Sequence, residues 1–289
     1  MNKVASSFPY AVIDIGNSNV KIATSESLES NDFDLILRVD PRQENWRDTL
    51  LELSNQLPRT AMHWICCSVN TRAHQAFQEF FRELRPDDIW LDLTNDDVAF
   101  EIVPQPAKNV GTDRLMAAAG AVALVDLRFR NQPTSSTIDK LIIIDAGTAI
   151  TVDAVEIASS SQAIRFLGGT IRPGLTLQRD ALHRYTSALP DLSFVNSQIP
   201  QSVIGQSTEE AILAGTLFGE LGALASLVQL IEDELQGKAM VFVTGGDGEW
   251  MSRYFEDEWH FEPHLVQLGM LQVARQKLNH SPTGTSPRK

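Results

Sequence analysis

The chain has 289 residues, of which 43% are hydrophobic and 21% are charged, and its formal net charge is −13. This length suits one large domain or two medium ones, and the composition is that of a globular protein with a sizeable core. The acidic balance argues against a nucleic-acid partner, which needs a basic footprint, but it is compatible with a nucleotide whose phosphates are neutralised by Mg²⁺ and backbone N–H groups.

The first predicted element is a β-hairpin in residues 11–23. An apolar, β-branched run ends at Asp14, a glycine follows at Gly16, and a second strand-like run begins at Val20. A carboxylate at a strand end can hold Mg²⁺, and the glycine lets backbone N–H groups approach phosphate oxygens. An ordinary hairpin with an Asx turn explains the same segment, so this hairpin alone does not establish a phosphate site.

A buried strand is predicted at residues 62–69, followed by a helix over residues 71–84. The strand carries the two cysteines of the chain, Cys66 and Cys67. Adjacent cysteines make a poor disulfide, and no CxxC or CxxH partner exists for zinc, so we predict two buried thiols in a reducing, cytoplasmic setting. The six histidines show no metal-ligand pattern, and we interpret them as structural or surface residues.

Residues 109–115 lead into a helix predicted over residues 114–127. Two adjacent side chains at the helix start, Asp113 and Arg114, can do complementary work. Asp113 can accept the proton of an attacking hydroxyl, and Arg114 can bind a substrate carboxylate through two hydrogen bonds. The alternative is an N-cap aspartate beside a surface arginine, which is a common arrangement. The stretch 128–140 is the predicted loop and domain boundary.

Residues 141–153 repeat the pattern of the first hairpin. Asp145 ends an apolar run, Gly147 follows two positions later, and Thr148 is the small polar residue after it. The recurrence favours phosphate binding, because a kinase must hold phosphates from two sides and the chain has no Walker-type P-loop and no dinucleotide-binding glycine turn. We therefore predict two related α/β domains, each a mixed sheet flanked by helices, that face each other across a nucleotide cleft.

In the second half of the chain, residues 167–175 are rich in glycine and predict a turn that leads into a helix. Residues 207–234 predict one long helix or a helix pair, and residues 239–244 predict a strand closed by the glycine-rich stretch 245–248. No apolar run approaches the about 20 residues of a membrane span, and the N-terminus lacks a signal-peptide core, so we predict no membrane partner. The predicted domains are 1–130 and 131–280, followed by a disordered tail at 281–289.

Five segments, taken together and in this order, resemble type III pantothenate kinases. They are Asp14–Asn19, Gly111–Arg114, Asp145–Ala149, Gly168–Gly174 and Thr244–Asp247. The first and third segments alone would indicate only the wider superfamily of acetate and sugar kinases, heat-shock chaperone ATPases and actin. The second and fourth segments narrow the resemblance from that superfamily to type III pantothenate kinases. The resemblance implies two ribonuclease H-like domains. It also implies ATP-dependent phosphorylation of pantothenate to 4'-phosphopantothenate, the first step of coenzyme A biosynthesis.

The resemblance also implies roles for individual residues. Asp113 would be the catalytic base, Asp14 would lie near Mg²⁺, and Asp145 would hold a monovalent cation, potassium or ammonium. The first phosphate loop would consist of Asp14, Ile15, Gly16, Asn17, Ser18, Asn19, Val20 and Lys21, with Thr148 as a further ATP contact. The pantothenate site would consist of Gly111, Thr112, Asp113, Arg114 and Thr186. The resemblance also implies a homodimer, in which the partner subunit forms part of each substrate pocket.

Two segments depart from the family pattern. The family's tyrosine before Gly-x-Asp-Arg has no counterpart in residues 100–106, and residues 66–70 replace the usual Ser-Ser-Val-x-Pro. Three alternatives stay open: a kinase of the same superfamily with another acceptor, a non-catalytic regulatory relative, and an actin-like or chaperone-like ATPase. Intact Asp14, Asp113 and Asp145 argue against the regulator, and the short chain argues against the ATPase.

Overall fold

The computed structural model describes residues 10–34, 36–128, 138–158, 163–193 and 200–280. By their contacts, the residues form two compact units. Unit 1 comprises Met1–Ala99, Gln105–Asn131 and His264–Lys289, and unit 2 comprises Phe100–Pro104 and Gln132–Pro263. Each unit is built on one mixed β-sheet with flanking helices, which confirms the predicted α/β class.

The predicted strands at residues 62–69 and 239–244 and the predicted helices at residues 71–84, 114–127 and 207–234 are present, among further elements that the sequence analysis did not predict. The strands are β1 (Tyr10–Ile15), β2 (Val20–Ser25), β3 (Ile36–Val39), β4 (His63–Ser68), β5 (Ile89–Asp92), β6 (Phe100–Ile102), β7 (Lys140–Ala146), β8 (Ala149–Ile157), β9 (Ile164–Pro173), β10 (Met240–Thr244) and β11 (Trp259–Phe261). The helices are α1 (Trp46–Ser54), α2 (Thr71–Leu84), α3 (Thr112–Arg128), α4 (Leu175–Arg184), α5 (Thr208–Glu234), α6 (Gly248–Ser252) and α7 (Leu265–His280).

The two sheets share one topology. In unit 1 the strand order is β3-β2-β1-β4-β5, and in unit 2 it is β11-β10-β7-β8-β9-β6. In unit 1, β1, β2 and β3 form an antiparallel meander, and β4 and β5 add in parallel on the other side of β1. In unit 2, β7, β8 and β9 form the same meander, and β10 and β11 add in parallel on the other side of β7. The internal repeat read from the two hairpins is therefore a repeat of the whole five-strand unit, with β6 as an addition to the second.

The core of unit 1 shows how local sequence specifies an element. In α2, Ala73, Phe77 and Phe81 recur every four residues, so one face of the helix is apolar and buried against the sheet. The Asn70 side chain caps the helix start by accepting a hydrogen bond from the Ala73 N–H at 3.1 Å. The observed bounds match the predicted helix over residues 71–84.

Helix α5 is long and apolar enough, by length and composition alone, to cross a membrane, so the prediction that no segment is so apolar was wrong. Its Leu217, Leu221 and Leu224 nevertheless belong to the buried core of unit 2. Glu220 of the same helix is fully buried and accepts hydrogen bonds from the Arg172 guanidinium of β9 at 3.0 and 3.1 Å. The apolar sequence of α5 is therefore explained by its position in the core of unit 2, where the buried carboxylate of Glu220 is paired.

The structure also bears on the predicted turn at residues 167–173 and on the position of the C-terminal helix. Residues 167–173 form the end of β9 rather than a turn, because Gly168, with φ of +94°, sits at a register shift opposite Ala154 and Val155 and lets the strand continue. Helix α7 packs on α3, β1 and β4 in unit 1, although residues up to 280 were predicted to belong to the second domain. The domain boundaries as such stay a prediction. The predicted tail 281–289 and most of the predicted loop 128–140 lie outside the described residues.

Candidate functional site

The first candidate phosphate turn joins β1 to β2. Asp14 is buried near the end of β1, and Lys21 lies directly opposite it in the hairpin register. The Gly16 N–H donates to the Asn19 carbonyl at 3.0 Å, which closes the turn. Asn17 and Asn19 are exposed at its tip. The turn therefore presents a cationic side chain and exposed amide groups beside a buried carboxylate.

Ile15 and Val20 flank this turn, and both side chains are fully buried in the core of unit 1. The Ile15 carbonyl accepts a hydrogen bond from the Val69 N–H at 3.1 Å, which fixes the end of β1 against the segment after β4. If these two residues belong to a phosphate loop, they act through the backbone and by anchoring the turn.

Asp113 lies in the first turn of α3. One of its carboxylate oxygens, Oδ1, accepts a hydrogen bond from the Arg114 N–H at 2.8 Å. Burial raises the pKa of Asp113 above its usual value, while the Arg114 N–H, the Arg114 charge and the Lys21 charge oppose that rise. A carboxylate whose pKa is raised by burial is better matched to accepting a proton near neutral pH than an ordinary aspartate.

The segment before α3 is held by one asparagine. The Asn95 side-chain amide donates to the carbonyls of Ala107 and Val110 at 2.9 and 2.8 Å, and its oxygen accepts from the Thr112 hydroxyl at 2.8 Å. These three bonds fix the backbone on both sides of Gly111. Asn95 was missed in the sequence, since nothing in its neighbourhood distinguishes it from an ordinary loop asparagine.

The two acidic residues of unit 1 share one neighbourhood. Asp14 on β1 is in register with Cys67 on the parallel strand β4. Burial raises the pKa of the Cys67 thiol most, and the charges of Asp14 and Asp113 raise it further. Because the charges of Asp14 and Asp113 act on the same buried thiol, the two carboxylates lie in one region of unit 1. Their roles as magnesium ligand and base stay predictions. Cys66 and Cys67 are buried and free, as predicted.

The second candidate phosphate turn, between β7 and β8, is tighter. Asp145 is half-buried near the end of β7, and the Gly147 N–H donates to the Ala149 carbonyl at 3.1 Å. Thr148 is exposed at the tip, and its carbonyl accepts from the N–H of Gly174, the residue that precedes α4, at 2.9 Å. The glycine-rich end of β9 thus supports the turn that carries Asp145.

The residues around Asp145 fit a bound cation. Thr244 on the parallel strand β10 is in register with Asp145, so both side chains leave the sheet on the same face. The Thr244 hydroxyl is buried and has no hydrogen-bond partner among the described residues. Gly245 follows with φ of +93°, and a Cβ there would lie 2.6 Å from Asp145 Oδ1. A carboxylate, a buried hydroxyl and close backbone carbonyls are the hard oxygen donors that such a cation needs.

Unit 2 also contains a buried arginine, Arg179, whose charge acts on Asp247. Arg179 of α4 is buried, and its Nε donates to the Thr216 hydroxyl at 3.3 Å. Burial lowers the pKa of Arg179 and raises the pKa of Asp247, and their charges act on each other in the opposite direction. Asp247 lies in the predicted glycine-rich turn after β10, but Arg179 was not singled out, because its sequence context is that of an ordinary helix.

Thr186 is exposed just beyond the end of α4. Its hydroxyl donates to the Leu182 carbonyl at 2.7 Å. This bond lies within the end of the helix, and the predicted contact of Thr186 with substrate stays a prediction.

Comparison with known proteins agrees with the motifs. A protein from Porphyromonas gingivalis named type III pantothenate kinase is 36% identical over 168 residues, covering 57% of this chain and 61% of that protein. The aligned part thus spans less than two thirds of that relative. A protein of the same name from Flavobacterium johnsoniae is 26% identical over 269 residues, covering 93% of this chain and 98% of that one.

Among solved structures, glucokinase from Balamuthia mandrillaris in complex with glucose aligns with a TM-score of 0.48 at 11% identity, over 94% of this chain and 95% of that one. A likeness this distant assigns no activity. The sequence model of the family described as type III pantothenate kinase, in contrast, matches residues 11–230. That match takes in four of the five motif segments whole, so the chain belongs to the type III pantothenate kinase family.

Proposed function

We propose that this protein transfers the γ-phosphoryl group of ATP to the hydroxyl of pantothenate, giving 4'-phosphopantothenate for coenzyme A biosynthesis. The observation that carries the proposal is in unit 1. Asp113, with a pKa raised by burial, lies at a helix start close to Asp14 and Lys21 of the first turn. Such a group can take a hydroxyl proton where a phosphate turn delivers the phosphoryl group.

In this proposal the protein works mainly by positioning and charge neutralisation, because a loose phosphoryl-transfer transition state needs little covalent help. Asp113 Oδ accepts the proton of the pantothenate hydroxyl as oxygen attacks the γ-phosphorus. The side chain of Arg114 binds the carboxylate of pantothenate, and Gly111, Thr112 and Thr186 line the same substrate. Lys21 and the backbone N–H groups of the turn bind phosphate oxygens.

Two cations belong to the proposal. Mg²⁺, when bound, neutralises charge on the ATP phosphates, and Asp14 offers it a carboxylate oxygen at the strand end. Asp145 and the Thr244 hydroxyl would hold a monovalent cation, potassium or ammonium, while Thr148 contacts ATP. We also propose a cytoplasmic homodimer, with no nucleic-acid or membrane partner.

The test is an assay of ADP formation by the purified protein with ATP and Mg²⁺, with and without pantothenate, in matched K⁺ and Na⁺ buffers. We expect turnover that requires pantothenate and is faster in K⁺, and phosphopantothenate as the product by mass spectrometry. Hydrolysis independent of pantothenate would overturn the proposal in favour of an ATPase. No turnover with pantothenate, but turnover with another small alcohol, would assign a different acceptor.

A further inference from the structure

Three potential metal ligands meet in unit 1, outside the motifs used above. They are Cys66 on β4, His74 in α2 and Asp92 at the end of β5, and their donor atoms all lie within 4.8 Å of one another. No metal-ligand pattern was expected at His74, which we interpreted as a structural or surface residue. The three residues come from one β-α-β unit and provide three different donor types: thiol, imidazole and carboxylate.

The fold brings these residues together through register. Strands β4 and β5 are parallel neighbours, with Cys66 paired to Asp92, and the Leu93 N–H donates to the Cys66 carbonyl at 2.8 Å. Helix α2 begins three residues after the end of β4, so His74 in its first turn stays near the same end of the sheet. The three positions are therefore fixed by regular backbone, a rigid placement that a metal site requires.

The carboxylate of the cluster is already oriented. Asp92 Oδ1 lies 2.7 Å from His74 Nε2 and also accepts a hydrogen bond from the Trp90 indole N–H at 2.8 Å. A hydrogen bond from a neighbouring side chain to a liganding carboxylate is typical of the outer shell of metal sites. Around a tetrahedral ion with bonds of about 2.0–2.3 Å, ligand atoms stand about 3.3–3.6 Å apart.

The cluster also has access and free volume. Cys66 is buried, whereas 21% of the His74 side chain and 46% of the Asp92 side chain are exposed. A cavity of about 260 Å³ is lined by Cys66, Ser68, Thr71, His74, Asp92 and Leu93. An ion can therefore enter from the exposed side, and the cavity has room for a water molecule as a further ligand.

We propose that Cys66, His74 and Asp92 bind one Zn²⁺ ion, with a fourth position open to water. A thiolate and an imidazole favour a borderline-soft ion over Mg²⁺ or Ca²⁺, and three protein ligands with an open position is the pattern of non-structural zinc sites. On binding, the thiol proton of Cys66 is released to solvent as the sulfur–zinc bond forms. The metal-binding proposal does not depend on the proposed kinase chemistry.

A cysteine-nucleophile triad is the rival interpretation of the same residues. It fits less well, because a nucleophilic cysteine needs a lowered pKa, whereas burial and the charge of Asp92 raise the pKa of the Cys66 thiol. A metal ion that binds the sulfur displaces that proton directly.

The experiment uses the full chain, stripped of metal with a chelator and titrated with Co²⁺ and then Zn²⁺. We expect one equivalent of Co²⁺ to give thiolate charge-transfer absorption and the intense visible bands of tetrahedral cobalt, and Zn²⁺ to displace it. Cys66→Ser should abolish the charge-transfer band, and Asp92→Asn should weaken binding by more than the about 10–100-fold that outer-shell changes cost.

Cys67→Ser is the matched control, since it removes the adjacent buried thiol, and it should keep both the band and the stoichiometry. The proposal is overturned if the chain takes up no stoichiometric metal, or if the band survives in Cys66→Ser. Asp92 is partly exposed, so Asp92→Asn should stay folded and keeps the test decisive if Cys66→Ser does not fold. Because no ATP or pantothenate is present, the result is independent of the kinase assay.

Discussion

The two hairpins of the repeat place an aspartate at the same point of the fold but surround it differently. Opposite Asp14 in the first hairpin is Lys21, whereas opposite Asp145 in the second is Thr151. The first carboxylate thus faces a cation across the hairpin, and the second faces a hydroxyl. The repeat fixes where each carboxylate lies, and the neighbouring side chains decide what it can bind.

The residues beside the two aspartates on the neighbouring parallel strands also differ. Cys67 is in register with Asp14, and Thr244 is in register with Asp145. The thiol offers no hard oxygen donor, whereas the buried threonine hydroxyl does. Under the proposed function, the same topology would serve proton and phosphate chemistry in unit 1 and an oxygen-lined cation site in unit 2.

The largest effect we expect is that of Asp113→Asn. If Asp113 is the base of unit 1, its loss should reduce turnover by about 10²–10⁴-fold, while ATP binding measured by calorimetry changes little. The exposed Asp126→Asn on the same helix is the control and should leave turnover unchanged. Turnover of Asp113→Asn within tenfold of the parent would show that the proton goes elsewhere.

The second prediction concerns the close backbone approach in unit 2. Gly245→Ala places a Cβ at φ of +93° and 2.6 Å from Asp145 Oδ1, so we expect the free energy of unfolding to fall by about 1–3 kcal/mol. Urea denaturation measures it. In the control Gly222→Ala, a helical site with no atom within 4 Å of the added Cβ, stability should rise by about 0.5–1 kcal/mol. Equal effects of the two substitutions would contradict the packing argument.

A direct comparison of the two turns uses their equivalent glycines. In Gly16→Ala the new Cβ would lie 3.0 Å from the Asn19 carbonyl oxygen, whereas in Gly147→Ala the nearest atom is at 3.6 Å. We expect Gly16→Ala to cost about 1 kcal/mol of stability and Gly147→Ala to be near neutral. Thermal denaturation of both variants measures this difference in stability. If Gly147→Ala were the more destabilising substitution, the first turn would have more room for a Cβ than the second.

The smallest effect is a shift in pH dependence. The Lys21 charge lowers the pKa of Asp113, so removing it in Lys21→Gln should raise that pKa. The proposed base works deprotonated, and activity therefore falls as pH drops through its pKa. In a pH profile of kcat/KM, the acid limb of Lys21→Gln should move to higher pH, whereas the exposed Lys108→Gln should leave it in place. A shift to lower pH would contradict the effect of the Lys21 charge on Asp113.

The elements that could be predicted from the sequence are those specified by residues close together in the chain. The helix over residues 71–84 follows from apolar residues spaced by four and a capping asparagine, and the two hairpins follow from strand patterns around a glycine turn. The motif order was also enough to identify the family. These features depend on residues that are neighbours in the chain, so hydrophobic periodicity and turn-forming residues are enough to predict them.

Features that depend on strand register, or on packing between segments far apart in the chain, could not be predicted from the sequence. Residues 167–173 continue a strand because β8 is there to pair with, and α7 joins unit 1 because α3, β1 and β4 offer it a packing surface. The meeting of Cys66, His74 and Asp92 requires β4 and β5 to lie in parallel register. Such contacts join positions far apart in the chain, and no short-range pattern encodes them.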